Sequence, residues 1–329
     1  MAEAADSSAS IRALGEAVRR GERRALAKAI TLVESTRPED EAAAADLLEQ
    51  ILPATGRALR LGITGSPGAG KSTLIEALGS RWLGRGRTLA VLAVDPTSEL
   101  TGGSLLGDKT RMPTLSSAEG AFVRPSPAGR GSAGVARRTG ELILLCEAAG
   151  FDVVIVESVG VGQAELGVAH VVDWLVLLVL AGAGDELQGI KRGILEFADS
   201  VVVTKCDGQN VEASERARSQ HAAALSVLRG SEAPAVISVS ATEGTRIDEL
   251  VQLLDDKLEA QRTTGVFDER RAEQRQRAFE EEFTAALRRA LLGDARTQAR
   301  IQRARERVAR GDVSARAAVA ELLLEVVSG

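Results

Sequence analysis

The sequence predicts an α/β protein: a mostly parallel β-sheet flanked by helices, with a helical arm before it and a helical extension after it. Three observations carry this expectation. Between about residues 57 and 262, short apolar runs alternate with helical stretches. The first of those runs opens into a glycine-rich loop followed by a helical pattern. On either side the chain reads as helical. The expected division is an arm over residues 1–56, a central domain over 57–262 and an extension over 263–329.

The arm carries "IRALGEAVRRGERRALAKAITLVES", with apolar residues at helical spacing and breaks at Gly21 and Pro38. In the central domain the expected strands are Leu61–Thr64, Thr88–Val94, Val153–Val156, Leu175–Leu180, Val201–Thr204 and Ala235–Val239. In the extension, "DERRAEQRQRAFEEEFTAALRRALLG" places Phe279, Phe283, Leu287 and Leu291 about four residues apart, one apolar stripe on a charged helix. Two readings of that stripe stand: packing within its own domain, or an interface between two copies.

Composition narrows the function class. Net charge is −5, so the basic surplus of a nucleic-acid binder is missing. Aromatics are 2% with no Tyr, which argues against a stacking platform for single strands. The apolar run near Trp174–Ala181 falls far short of the roughly 20 residues that span a bilayer. The start, "MAEAADSSAS", has neither the basic nor the apolar region of a signal peptide. Cys146 and Cys206 form no metal-type pair and read as small buried hydrophobes in a reducing, cytoplasmic setting. His170 and His221 lie away from the phosphate motifs and read as structural.

The chemistry begins in "GITGSPGAGKSTLIEALG". Gly65, Gly70, Lys71 and Ser72 fit G-x-x-x-x-G-K-S/T, in the required order of strand, loop and helix. Glycines, here including Gly68 beside Ala69, let backbone N–H groups turn inward around phosphate oxygens, and the helix presents its positive end. Lys71 sets a compact charge on the β- and γ-phosphates, and the Ser72 hydroxyl can ligate Mg²⁺. A P-loop nucleotide-binding fold follows.

"VIVESVGVGQAE" ends a buried strand on Glu157, an acidic group beside the metal. Gly160 and Gly162 follow, whose backbone can approach the γ-phosphate. Asp95 ends "TLAVLAVD", and Asp108 lies in "GGSLLGDKTRM". Mg²⁺ takes one or two carboxylates beside phosphates and waters. Asp95, Asp108 and Glu157 therefore divide between direct ligation, contact through water and positioning of the attacking water.

"VVVTKCDG" places Lys205 and Asp207 in the N/T-K-x-D pattern that reads guanine. An Asp carboxylate accepts from guanine N1–H and the exocyclic amine, a donor pair that adenine lacks. Lys205 lies along the base plane. "ISVSATEG" offers Ser240 and Ala241 for backbone contact with guanine O6. The nucleotide is GTP or GDP with Mg²⁺. The charge opposite the leaving group comes from Lys191 or Arg111 in cis, or from a partner in trans.

Together "GSPGAGKST", "VLAVDPTS", "GGSLLGDKTRM", "RPSP", "LLCEAAGFDVVIVESVGVGQ", "AGAGDELQGIKRGILE" and "TKCDG" resemble the methylmalonyl-CoA mutase-associated GTPases, the MeaB/ArgK type within the G3E group. They span most of residues 57–210 in the family's order. The resemblance implies a GTP-hydrolysing chaperone of an adenosylcobalamin-dependent acyl-CoA mutase, gating cofactor loading and protecting or reactivating the mutase. It implies a homodimer and no nucleic-acid or membrane partner. By position, Lys71, Ser72 and Thr73 hold phosphate and Mg²⁺. Asp95, Asp108 and Glu157 form the acidic set around metal and water. Lys205 and Asp207 read the base. Gly182–Arg192 resembles a switch that couples nucleotide to mutase, with Asp185 and Lys191 as its actors. Two stretches depart from the family pattern: "RPSP" is followed by "AGRGSAGV", and Phe279 and Phe283 stand on the helix that usually carries a tryptophan. The alternatives are a metallochaperone GTPase, which would need Cys/His clusters, a small-molecule kinase, and a nucleotide-gated scaffold without catalysis.

Overall fold

The computed structural model describes residues 2–95, 112–127, 131–158, 164–181, 192–293 and 295–327. Among the described residues, seven strands form one sheet: β1 (Leu59–Gly65), β2 (Leu89–Asp95), β3 (Ala121–Pro127), β4 (Val153–Ser158), β5 (Trp174–Leu180), β6 (Ser200–Thr204) and β7 (Ala235–Ser238). Their order is β3-β2-β4-β1-β5-β6-β7, and every pairing is parallel. The expected mostly parallel sheet is found. Six strands match the expected runs. The seventh, β3, was not anticipated. Its sequence "AFVRPSP" carries two prolines, which remove ladder donors and read as a turn. At the edge of the sheet, with only β2 beside it, such a strand is tolerated.

Helices alternate with these strands. The arm is α1 (Ala2–Arg19), α2 (Arg23–Glu34) and α3 (Pro38–Ile51), broken where Gly21 and Pro38 predict. Gly21 takes φ 77° just past the first helix, the usual terminating conformation. Then come α4 (Lys71–Gly84), α5 (Pro113–Ser117), α6 (Gly131–Ala148), α7 (Ala164–Ala169), α8 (Arg192–Phe197), α9 (Val211–Arg229), α10 (Ile247–Thr264), α11 (Val266–Gly293), α12 (Ala295–Ala309) and α13 (Ala315–Val327).

Both faces of the sheet are covered, so its central strands read as mainly apolar runs. β1 and β4 are buried at every residue. Strand pleating sends alternate residues to opposite cores. Val154 and Val156 join Leu26, Ile30, Leu47 and Ile51 of the arm with Leu142 and Ile143 of α6. Val153 and Ile155 join Leu74, Leu78 and Trp82 of α4 with Leu250 and Leu254 of α10. Each fully buried aliphatic side chain contributes about 1.5–3 kcal/mol.

At the base of the sheet, where strands begin, a buried ion cluster fixes the start of α11. Arg271 donates to both oxygens of Asp173 at 2.5 and 2.7 Å and to Glu147 Oε1 at 3.1 Å. Arg60 of β1 grips the same Glu147 through two bonds of 2.9 and 2.8 Å. Burial pushes the Glu147 carboxyl up, but the Arg60 bonds and charge, the Arg271 charge and the Gly56 N–H hold it below the ordinary range. Arg270 adds bonds to Asp199 at 3.2 and 3.1 Å.

The chain separates into two compact units, Met1–Gln274 and Arg275–Gly329. In the second, α12 and α13 pair through Arg307–Glu321 at 2.7 Å, and Phe279 stacks on Phe283 with centroids 6.0 Å apart. Among the described residues no helix is long and apolar enough to cross a membrane.

Candidate functional site

At the rim, where strands end, β1 runs into Gly65–Gly70. Gly65 has φ 150°, and a Cβ there would stand 2.7 Å from the Leu178 carbonyl oxygen of β5. Only glycine lets the chain leave the sheet at this point. Gly70 has φ 88° and precedes α4 with no side-chain cap. The first turn of α4 carries no acidic residue. Its N–H groups and the positive end of its dipole thus face the loop with no carboxylate from the helix's own first turn. Lys71, buried, folds back over the loop and donates to the carbonyls of Gly65 at 2.8 Å and Ser66 at 3.1 Å. Gly68 also has left-handed backbone, Ala69 is buried and Thr73 is exposed.

Beside the loop, Ser72 Oγ donates to Glu157 Oε1 at 3.0 Å. Glu157 is buried near the end of β4, the strand hydrogen-bonded to β1. Topology therefore brings together two residues 85 positions apart. Asp95 ends β2, and its strand aligns Ala93 with Glu157, so its backbone reaches the same rim. A hydroxyl and a carboxylate side by side next to a phosphate loop are the hard oxygen donors that Mg²⁺ takes. These residues fit the ion. Asp108, Gly160, Gly162, Lys191, Asp185 and Arg111 lie outside the described residues.

The base-reading residues gather on the turns after β6 and β7. Thr204 ends β6, and Lys205 follows with φ 58°. Asp207 Oδ2 accepts from Ser240 Oγ at 2.6 Å and Thr242 Oγ1 at 3.1 Å. Lys205 is exposed, and Ala241 follows Ser240 on the turn. Sequence reasoning gave Ser240 a backbone role; its hydroxyl also orients Asp207. It missed Thr242, which could have been found as a second hydroxyl two residues after Ser240. It also missed what Thr204 does. The Thr204 hydroxyl donates to the Ala69 carbonyl at 2.6 Å, tying the base-reading turn to the phosphate loop across 135 residues.

His221 is buried on α9, and His170 meets Phe197 edge-on at 5.2 Å, both away from these loops. Cys146 and Cys206 are free and buried. Burial and the neighbouring Glu147 push the Cys146 thiol far up, making it a poor nucleophile.

Comparison with known proteins agrees with this geometry. The profile of the family described as methylmalonyl Co-A mutase-associated GTPase MeaB matches residues 26–296. A probable GTPase of Mycobacterium tuberculosis is 51% identical over 264 residues, covering 79% of each chain. GTPase ArgK of Escherichia coli is 49% identical over 267 residues, covering 79% of this chain and 81% of its own. The crystal structure of a LAO/AO transport system kinase superposes with a TM-score of 0.76 at 36% identity over 98% of both chains.

Proposed function

The chain belongs to the methylmalonyl-CoA mutase-associated GTPase family and is a P-loop GTPase; from that premise we propose that it couples GTP hydrolysis to the care of an adenosylcobalamin-dependent acyl-CoA mutase. In this role it gates cofactor loading and protects or reactivates the mutase. The family's name associates it with methylmalonyl-CoA mutase, which supports a mutase as the partner. The observation that carries the nucleotide half is the convergence of Lys71, Ser72 and Glu157 at one rim with Asp207 tethered through Thr204 to the same loop.

We assign Ser72 and Glu157 as the oxygens that hold Mg²⁺. Asp95 and Asp108 complete the acidic set, through water or by orienting the attacking water. When bound, Mg²⁺ supplies neutralisation of the charge shared by the β- and γ-phosphates. The backbone of Gly65, Gly68, Ala69 and Gly70 with Ser72 and Thr73 cradles the phosphates. Lys71 exchanges its carbonyl partners for phosphate oxygens. Water attacks the γ-phosphorus, the bond to the β-bridging oxygen breaks, and GDP and phosphate leave. We assign Gly160 to the γ-phosphate and the charge opposite the leaving group to Lys191 or Arg111, or to the mutase in trans. Lys205 and Asp207 read guanine, and the Ala241 N–H meets O6, since the Ser240 N–H is taken by the Thr245 carbonyl. Catalysis is by positioning and charge, with no covalent step on the protein.

A homodimer formed through the extension from residue 263 is supported by Phe279, Phe283 and Leu287, each about half exposed or more in the single chain. Light scattering that returns a mass of 34.5 kDa removes that reading. A cytoplasmic setting fits the two free cysteines.

Single-turnover GTP hydrolysis, with and without candidate cobalamin-dependent mutases, tests the proposal. The cognate mutase should accelerate turnover and be captured by the tagged chain from native lysate. No acceleration by any such mutase, and no cobalamin enzyme captured, would reject the chaperone role. For base reading, Asp207→Asn should move preference from GTP toward xanthosine triphosphate, measured by calorimetry.

A further inference from the structure

The turn that supports Asp207 is held from outside the guanine motif. Among the described residues, two that are not glycine have left-handed backbone: Lys205 at φ 58° and Arg246 at φ 56°. Lys205 belongs to the motif. Arg246 lies beyond it, at the start of α10. In a residue with a Cβ this conformation is disfavoured by contact with the following carbonyl. It persists where the surroundings over-determine it, and such places cluster at functional sites.

Those surroundings are specific. Ser240 and Thr245 form an antiparallel bridge, with Ser240 N donating to Thr245 O at 3.1 Å. Gly244 at φ 74° closes the loop between them. Arg246 comes next. Its backbone carbonyl accepts Leu250 N at 3.1 Å, and its Nη1 turns back to Glu215 Oε1 of α9 at 2.5 Å. The same nitrogen donates to Ser238 Oγ of β7, which itself donates to Glu215 Oε1 at 2.6 Å. Arg218 Nε donates to the other Glu215 oxygen at 2.9 Å. Hydrogen bonds from Ser238, Arg218 and Arg246 hold the Glu215 carboxyl down at about 2, so the anchor stays charged at any physiological pH. The guanidinium also lies within electrostatic range of Cys206, between Lys205 and Asp207.

We propose that Arg246, clamped to Glu215 and Ser238, is a positioning residue that fixes the Ser240–Thr245 turn, so that Ser240 and Thr242 hold Asp207 square to the guanine edge. This rests on Asp207 as the base reader. The property controlled is discrimination between 2-amino-6-oxopurine and 6-oxopurine nucleotides. Guanine offers Asp207 two donors and hypoxanthine offers one. A carboxylate held square gains from the second donor, and a carboxylate free to swing gains little.

The test is the ratio of IDP to GDP dissociation constants, measured by titration calorimetry on the full chain. Arg246→Gly releases the clamp while accepting left-handed backbone without cost. It should lower that ratio by about tenfold, the scale of one hydrogen bond to a charged group, without a fall in melting temperature. Glu215→Gln cuts the clamp from the other side and should lower the ratio in the same direction. Arg246→Lys keeps the charge and should recover part of the discrimination. A purely structural role would weaken both nucleotides equally. An unchanged ratio in both Arg246→Gly and Glu215→Gln, in a protein whose wild type discriminates, overturns the clamp alone. A wild type with no preference for GDP over IDP, and no response to Asp207→Asn, overturns the base-reading assignment beneath it.

Discussion

The two ends of the sheet follow opposite plans. At the base, charge meets charge inside the chain: Arg60, Glu147, Asp173 and Arg271 close on one another while buried. At the rim, polar side chains stand on turns beside left-handed backbone at Gly65, Gly68, Gly70, Lys205 and Arg246. The base is saturated with partners from its own chain. The rim gathers Lys205 and Arg246, the two left-handed residues with a Cβ among the described ones, and oxygen donors that suit a ligand. Stability and chemistry are thus written into different ends of the same strands, as expected where ligands bind outside the carboxyl ends of a parallel sheet.

The sharpest way to break this contrast is at the base. Arg271→Ala strands Asp173 and Glu147 in the interior. It should cost about 3–5 kcal/mol, or roughly 10 °C in melting temperature, while KM for GTP measured on the folded fraction stays put. A KM that shifts with little loss of stability would erase the distinction. At the rim, Glu157→Gln keeps volume and hydrogen bonding but removes the charge beside Ser72. Turnover should fall about 10²-fold, with melting displaced by no more than about 2–4 °C. Full turnover in that variant would dismiss Glu157 from the metal set.

The smallest effect is a pH dependence at the base. The folded Glu147 carboxyl titrates below its ordinary value of 4.5. Its contribution is therefore present above about pH 4.5 and is lost as pH falls through the folded value. Glu147→Gln should flatten the acid limb of a stability–pH curve from urea midpoints. An unaltered slope would show that the cluster does not govern acid unfolding.

Much of the rim was legible in the sequence, because phosphate loops and base-reading turns are local strings. Gly65–Ser72 and Thr204–Asp207 each lie within eight residues, and the strand before each was readable from its apolar run. The edge strand β3 was hidden by Pro125 and Pro127, since its place at the margin is a fact of topology. The base cluster was hidden for a different reason. Arg60 and Arg271 are 211 residues apart, and a charged residue before an apolar run looks like any solvated strand end. The Thr204–Ala69 bond and the Arg246–Glu215 pair likewise join stretches that share no local pattern.

The arm supplies Leu26, Ile30, Leu47 and Ile51 to a core shared with Val154, Val156 and Leu142. Those N-terminal helices therefore act as lining, not as a handle. A version of the gene cut to begin at the first strand would bare the apolar face of α6 that the arm covers. Such a fragment should clump in the cell before it ever meets a nucleotide.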